Sequence, residues 1–218
     1  TFLPKITLLD EAVDFVIMGE GELPACEFAE ALRAKNDYSQ IAGLGHKRNG
    51  SVVLNKRPPL MDNLDDLMPD WEEVDVSSYL HAEANGKRFL PFITSRGCPH
   101  RCGFCYNLDF NNRRWRARNA SSVADEILKL RKKHDFEGID FIDDNFFTDR
   151  KRAFDIADKI NMPWIAEVRA DYVSEDFIKQ CRERNCYKLI IGCESGSNTT
   201  LNLIEKDISV EQIENAVR

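Results

Sequence analysis

Four short apolar runs, each followed by a polar loop, punctuate the chain from Phe89 onward: Phe89 to Thr94, Ile139 to Ile142, Trp164 to Val168 and Lys188 to Gly192. Amphipathic stretches alternate with them. One opens at Ser121-Ser122 and carries Val123, Ile127 and Leu130 on one face. A second covers roughly Arg150 to Ile160, and a third opens at Ser174 with acidic Glu175 and Asp176 in its first turn. A fourth stretch, Thr199 to Glu205, precedes Ser209-Val-Glu-Gln212, the pattern of a capping box. Four β-α units in succession predict a parallel sheet with right-handed crossovers. Such sheets bind ligands at the carboxyl ends of their strands, so chemistry is expected in the loops that follow the apolar runs.

The front of the chain reads differently. Residues 12–18, AVDFVIM, run into Gly19-Glu-Gly21-Glu, and a helix follows from Pro24 to about Lys35 with Phe28, Ala31 and Leu32 on one face. This resembles the last unit of a doubly wound domain, expected over residues 1–37. Residues 38–88 are interrupted by Gly43-Leu-Gly45, Pro58-Pro59 and Pro69 and read as a linker. Within it, Asn49-Gly50 between two apolar runs predicts a hairpin. The regular β-α region then spans 89–218. The start at Thr1 and an amphipathic pattern, Val210, Ile213 and Val217, that runs to Arg218 suggest a piece of a longer protein.

With 31 % charged residues and apolar runs far shorter than the roughly 18 residues that a membrane span needs, no transmembrane helix is expected. No basic, apolar and small-residue leader pattern marks the chain for secretion, so a cytoplasmic location is expected. The net charge of −7 argues against a surface built to track phosphate backbones. Arg113-Arg114-Trp115-Arg116-Ala-Arg118 is the one basic, aromatic-containing run, and it reads as a solvated or ion-paired loop more readily than as a substrate contact.

Seven cysteines make an odd number for a disulfide framework, and three of them crowd together as Cys98-Pro-His-Arg-Cys102-Gly-Phe-Cys105, directly after the first apolar run. Thiolates are soft ligands that suit zinc or an iron-sulfur cluster. Three neighbouring cysteines would leave one iron of a [4Fe-4S] cube open, whereas zinc would need a fourth ligand, for which His100 stands in the loop. Residue types alone leave both open and favour the cluster. Cys26, Cys181, Cys186 and Cys193 read as small buried residues, and His46, His81 and His134 as surface residues.

The stretch Ile93-Thr-Ser-Arg-Gly-Cys-Pro-His-Arg-Cys-Gly-Phe-Cys105 resembles the cysteine motif of the radical S-adenosylmethionine superfamily, three cysteines at CxxxCxxC spacing with an aromatic, Phe104, before the last. That resemblance implies a partial (β/α) barrel of the α/β class. It also implies a [4Fe-4S] cluster on Cys98, Cys102 and Cys105, whose open iron chelates S-adenosylmethionine, and one-electron cleavage of that cofactor to methionine and a 5'-deoxyadenosyl radical. Ile191-Gly-Cys-Glu194-Ser195-Gly-Ser197 is similar to the GxESGS segment of cobalamin-linked and methylthiotransferase-like members. It implies cofactor contacts from Glu194 and Ser195.

Asp143 and Asp144, at the end of the second run, occupy the place where the family holds the methionine ammonium, though without its glycines; a helix-capping acidic turn is the competing reading. Arg169 at the third run could bind a carboxylate or serve as an ion-paired structural arginine.

The order of the front segments resembles members that carry an N-terminal, Rossmann-like cobalamin-binding domain, which makes cobalamin a candidate third cofactor. The expected reaction is methylation, rearrangement or cyclisation of a small-molecule substrate, with an electron from a flavodoxin- or ferredoxin-like reductant. The competing readings are a methylthiotransferase-like enzyme acting on RNA or protein, disfavoured because residues 1–88 hold only Cys26, and a zinc-stabilised binding module.

Overall fold

The computed structural model describes residues 3–218, which form two compact units, the first running to Asp62 and the second from Asn63 to Arg218. The first unit contains α1 (Pro4–Thr7), β1 (Phe15–Ile17), α2 (Glu22–Ala34), β2 (Leu44–Arg48) and β3 (Ser51–Leu54). The predicted hairpin is the β2–β3 pair, closed at Arg48↔Ser51, and Asn49 takes the left-handed conformation that its turn demands (φ +50°). The hairpin does not stand alone: β1 joins β2 antiparallel, giving a three-stranded sheet. Three expectations fail in this unit. Leu32 is 49 % exposed, because α2 buries only Pro24 and Ala31. His46 is buried, where Gly45 and Leu44 draw β2 into the core and its ring meets Tyr38 edge-on. Cys26 likewise lies on the solvent side of α2.

The second unit comprises β4 (His81–Ala82), β5 (Arg88–Phe92), β6 (Ser95–Arg96), α3 (Asn107–Phe110), β7 (Arg116–Ala117), α4 (Ala120–Lys133), β8 (Gly138–Phe141), α5 (Arg150–Ile160), β9 (Trp164–Val168), α6 (Glu175–Glu183), β10 (Cys186–Ile191), α7 (Asn198–Leu203) and α8 (Val210–Val217). Its main sheet has the order β10-β9-β8-β5-β4, with the first four strands parallel and β4 antiparallel at the edge. Successive parallel strands are always neighbours, so the sheet is wound in one direction and curls into a half-barrel.

Alternation along the strands separates two faces. Leu90, Phe92, Ile139, Phe141, Trp164, Ala166 and Val168 join one core with Val123, Ile127 and Leu130 of α4, Ile156 and Ile160 of α5 and Phe177 of α6. Asp140, Glu167 and Lys188 take the intervening positions, and Asp140 pairs with His81 across 3.5 Å.

Side-chain caps start the helices. Asn119 accepts from Ser121 N–H, Asp149 from Arg152 N–H and Ser174 from Phe177 N–H. Ser209 and Gln212 form the reciprocal capping box at α8.

The stretch expected as a linker divides between the units at residue 62. Its second part packs against the half-barrel through three short 3₁₀ turns capped by Asn63, Asp70 and Asp75. Apolar contact holds it there: Leu64 and Val76 are buried, and Trp71 stacks on Phe92 with ring centroids 5.9 Å apart. No helix among the described residues is long and apolar enough to cross a membrane.

Candidate active site at the cysteine loop

The loop bearing Cys98, Cys102 and Cys105 leaves the carboxyl end of β5 and is closed at its base by β6 and β7, paired at Ser95↔Ala117 and Arg96↔Arg116. Gly97 makes the closure possible. Its φ is +85°, and a Cβ there would lie 2.1 Å from the Arg114 carbonyl oxygen.

Three consecutive residues after β8 hold this loop from one side. The Asp143 carboxylate accepts from Thr94 N–H at 3.1 Å, from Thr94 Oγ1 at 2.9 Å and from the Ser95 hydroxyl. Asp144 accepts from Gly97 N–H at 2.7 Å through one oxygen and from the Tyr106 hydroxyl at 2.5 Å through the other. Asn145, 4 % exposed, donates its amide to the Cys98 sulfur at 3.7 Å. Burial pushes the Asp143 carboxyl up to about 6 against the pull of its hydroxyl donors. Burial and the bond to Asp144 push the Tyr106 phenol upward.

The segment after β10 holds the opposite side. Gly103 N–H donates to the Ile204 carbonyl at 2.8 Å, and Arg101 grips Asp207 with two bonds of 2.8 and 3.0 Å. Lys206, 7 % exposed, pairs with Glu194 at 2.9 Å and lies 5.7 Å above the ring of Phe104. Glu194, Glu205 and Asp207 all take left-handed backbone conformations, with φ of +60°, +52° and +55°. Such concentration of unfavourable φ values in one short segment is characteristic of sites that a fold holds in place for use.

Arg169, at the end of β9, joins the two sides. Its Nε donates to Asp171 at 2.9 Å, Nη2 to the Lys206 carbonyl at 3.0 Å and Nη1 to the Cys102 sulfur at 3.7 Å.

All three thiols are free and partly buried. Burial raises the Cys98 thiol, with hydrogen bonds from Asn145 and the His100 backbone acting against it. Among the described residues no group of three His, Cys, Asp or Glu side chains converges as a single-ion site requires. One zinc ion draws its sulfurs to about 2.3 Å from a common point, whereas a cube distributes thiolates over separate irons. His100, the fourth ligand of the zinc reading, points its Nε2 at the Tyr172 hydroxyl, 2.8 Å away. With His100 engaged by Tyr172, the donors left in the loop are three soft thiols, a set that suits an iron-sulfur cluster with one open iron.

The structure thus brings Phe104, Asp143, Asp144, Arg169 and Glu194 to one loop. Ser195 lies beside Glu194 in sequence, and its hydroxyl accepts from Ser197 N–H at 3.1 Å. Asn107, Asn145, Lys206 and the Arg101–Asp207 pair were not anticipated. Asn145 follows two aspartates at a strand end and was legible as part of that edge; nothing in the sequence around Lys206 distinguishes it from a surface lysine. The basic run before α4 divides: Arg113 and Arg114 are exposed, whereas Arg116 and Arg118 are 5 % and 6 % exposed and Arg118 is ion-paired with buried Glu126.

Fold and site together define an α/β half-barrel protein whose thiol-bearing loop follows its first parallel strand. Residues 92–218 match the Radical SAM superfamily, and the chain belongs to that superfamily. It is 33 % identical over 225 residues to an uncharacterised methyltransferase of Pyrococcus horikoshii, covering all of this chain and 48 % of that protein. It is 28 % identical over 213 residues to the anaerobic magnesium-protoporphyrin IX monomethyl ester cyclase of a Synechocystis species, covering 94 % of this chain and 42 % of the cyclase. Among solved structures, it shares its fold with the radical S-adenosylmethionine methyltransferase TsrM of Kitasatospora setae, solved with cobalamin and a [4Fe-4S] cluster (TM-score 0.78, 18 % identity, all of this chain and 46 % of that one). The chain spans about half the length of the curated relatives it matches.

Proposed function

We propose that the protein is a radical S-adenosylmethionine enzyme in which Cys98, Cys102 and Cys105 hold a [4Fe-4S] cluster with one iron left open to S-adenosylmethionine. The observation that carries this reading is the loop itself: three free, partly buried thiols at the carboxyl edge of a half-barrel wound in one direction. When bound, the cluster and S-adenosylmethionine supply a 5'-deoxyadenosyl radical by one-electron reductive cleavage.

The chain's own residues keep the thiols in register. Asp143 and Asp144, whose oxygens are engaged by Thr94, Ser95, Gly97 and Tyr106, act here as braces of the loop rather than as cofactor contacts. Arg169 is committed to Asp171 and Cys102 and is assigned the same positioning role. Glu194, Ser195 and the exposed ring of Phe104 remain on the open side as the proposed contacts to S-adenosylmethionine, with the Lys206–Glu194 pair facing them.

For the whole protein we assign a small-molecule substrate, a one-electron reductant of the flavodoxin or ferredoxin class, and cobalamin-dependent methyl transfer or a radical cyclisation or rearrangement. Support comes from relatives named as methyltransferases and cyclases. These names do not favour the methylthiotransferase or zinc-module alternatives.

The test is anaerobic assay of 5'-deoxyadenosine formation from S-adenosylmethionine with dithionite. Replacing any one of Cys98, Cys102 or Cys105 by Ala abolishes it on this reading. Full product from any of the three variants contradicts the assignment.

A further inference from the structure

Each thiol of the loop accepts a hydrogen bond from a different side chain, and the three donors come from three different elements. Asn145, after β8, donates to Cys98 at 3.7 Å; Arg169, after β9, donates to Cys102 at 3.7 Å; Asn107, in α3, donates to Cys105 at 3.6 Å. Two of the three donors are themselves anchored by hydrogen bonds, and the third, Asn145, is 4 % exposed. Arg169 is held by Asp171 and by the Lys206 carbonyl. Asn107 is 3 % exposed and accepts from the Asn111 amide at 2.6 Å; Asn111 is 2 % exposed and accepts from Arg116 Nη2 at 2.8 Å. A buried guanidinium is therefore joined to the Cys105 sulfur through two amides, each oriented with its N–H toward the thiol. In a low-dielectric interior such a chain polarises cumulatively, so the positive charge of Arg116 acts on a sulfur that it does not touch.

Resting on the cluster reading above, we propose that Asn107, Asn145 and Arg169 are positioning residues that raise the one-electron reduction potential of the cluster, with Arg116 acting on Cys105 through Asn111 and Asn107. The physical reason is that reduction adds one electron to the cluster and its thiolates. Donors fixed at the sulfurs stabilise the more negative, reduced state more than the oxidised one. The electron comes from the one-electron reductant, and no bond in the protein forms or breaks. The basic run that reads in the sequence as a solvated or ion-paired loop thus contributes a charge to the cluster's surroundings.

The experiment is an electron paramagnetic resonance titration of the reconstituted full-length protein against solution potential, with iron and labile sulfide measured on the same samples. Asn145→Leu and Asn107→Leu are each expected to keep the full cluster content. At a fixed potential, each lowers the ratio of reduced to oxidised cluster by about three- to tenfold, tenfold being 59 mV for one electron. Arg116→Gln is expected to lower it less, and to have no effect when Asn107 is already Leu, because the relay is then cut. If a Leu variant takes up no cluster, the isosteric Asn→Asp variant is titrated instead. It removes the donor and adds charge, so it must lower the ratio further.

Superposable titration curves at full cluster content overturn the proposal, and additive effects of Asn107→Leu and Arg116→Gln overturn the relay. Absence of any cluster from the unaltered protein would instead defeat the functional reading on which the proposal rests.

Discussion

Asp143 lies almost wholly inside the protein, and burial raises its carboxyl to about 6 although Thr94 and Ser95 donate to it. Its folded value stands above the ordinary 3.8, so the folded state takes up a proton between about pH 4 and pH 6. The stabilisation from this group is fully present below pH 4 and is lost as pH rises through 6, a change on the order of 3 kcal/mol at 1.36 kcal/mol per unit. Asp143→Asn has no such proton to lose. The stability advantage of the unaltered protein over this variant, read from urea midpoints, should therefore shrink between pH 4 and pH 6.5; a constant difference contradicts the account.

Arg118 and Glu126 form a second buried group, with Trp71 Nε1 donating to Glu126 at 2.6 Å. Arg118→Met alone leaves a buried carboxylate unpaired and should cost about 3–5 kcal/mol in chemical denaturation. Pairing it with Glu126→Leu should recover part of that loss. At this scale the sequence revealed which residues matter more readily than what they touch. Asp143-Asp144 could be assigned to a strand end from the apolar run before it, but its partners Thr94, Ser95 and Gly97 lie 47 to 49 residues away. Local spacing cannot report contacts across that separation.

Elements were legible where several local signals agreed. The third apolar run and the second helix appear as β9 (Trp164–Val168) and α5 (Arg150–Ile160), because a bounded apolar run defines the one. An Asp149 cap and a left-handed Asn161 bound the other. The β6–β7 clasp was not legible, since two residues on each strand leave no periodicity to read. The joining of β1 to the hairpin was missed for a related reason: a three-residue strand does not announce its partner. The clasp is nevertheless what closes the cysteine loop. Gly97→Ala forces a methyl against the Arg114 carbonyl, and should reduce iron and sulfide uptake several-fold while far-UV circular dichroism stays near that of the unaltered protein. At α8, Ser209→Ala removes one half of a capping box and should cost about 1 kcal/mol in the same denaturation assay.

For the whole molecule, the order in which the parallel strands join follows their order in the chain, and that is why the half-barrel could be anticipated from four β-α units. The division at residue 62 could not, because Pro-rich composition marks a break without saying to which side the flanking residues pack. Val76, buried in the core of the second unit, and Trp71, packed partly buried against it, decide the matter.

The proposed function stands or falls on whether the three-cysteine loop holds a cluster with an open iron. Its most direct test is electron paramagnetic resonance of the anaerobically reconstituted, reduced protein with and without S-adenosylmethionine. A [4Fe-4S] signal whose g-values change when S-adenosylmethionine is added is expected. A cluster signal indifferent to it, or stoichiometric zinc without labile sulfide, would contradict the claim.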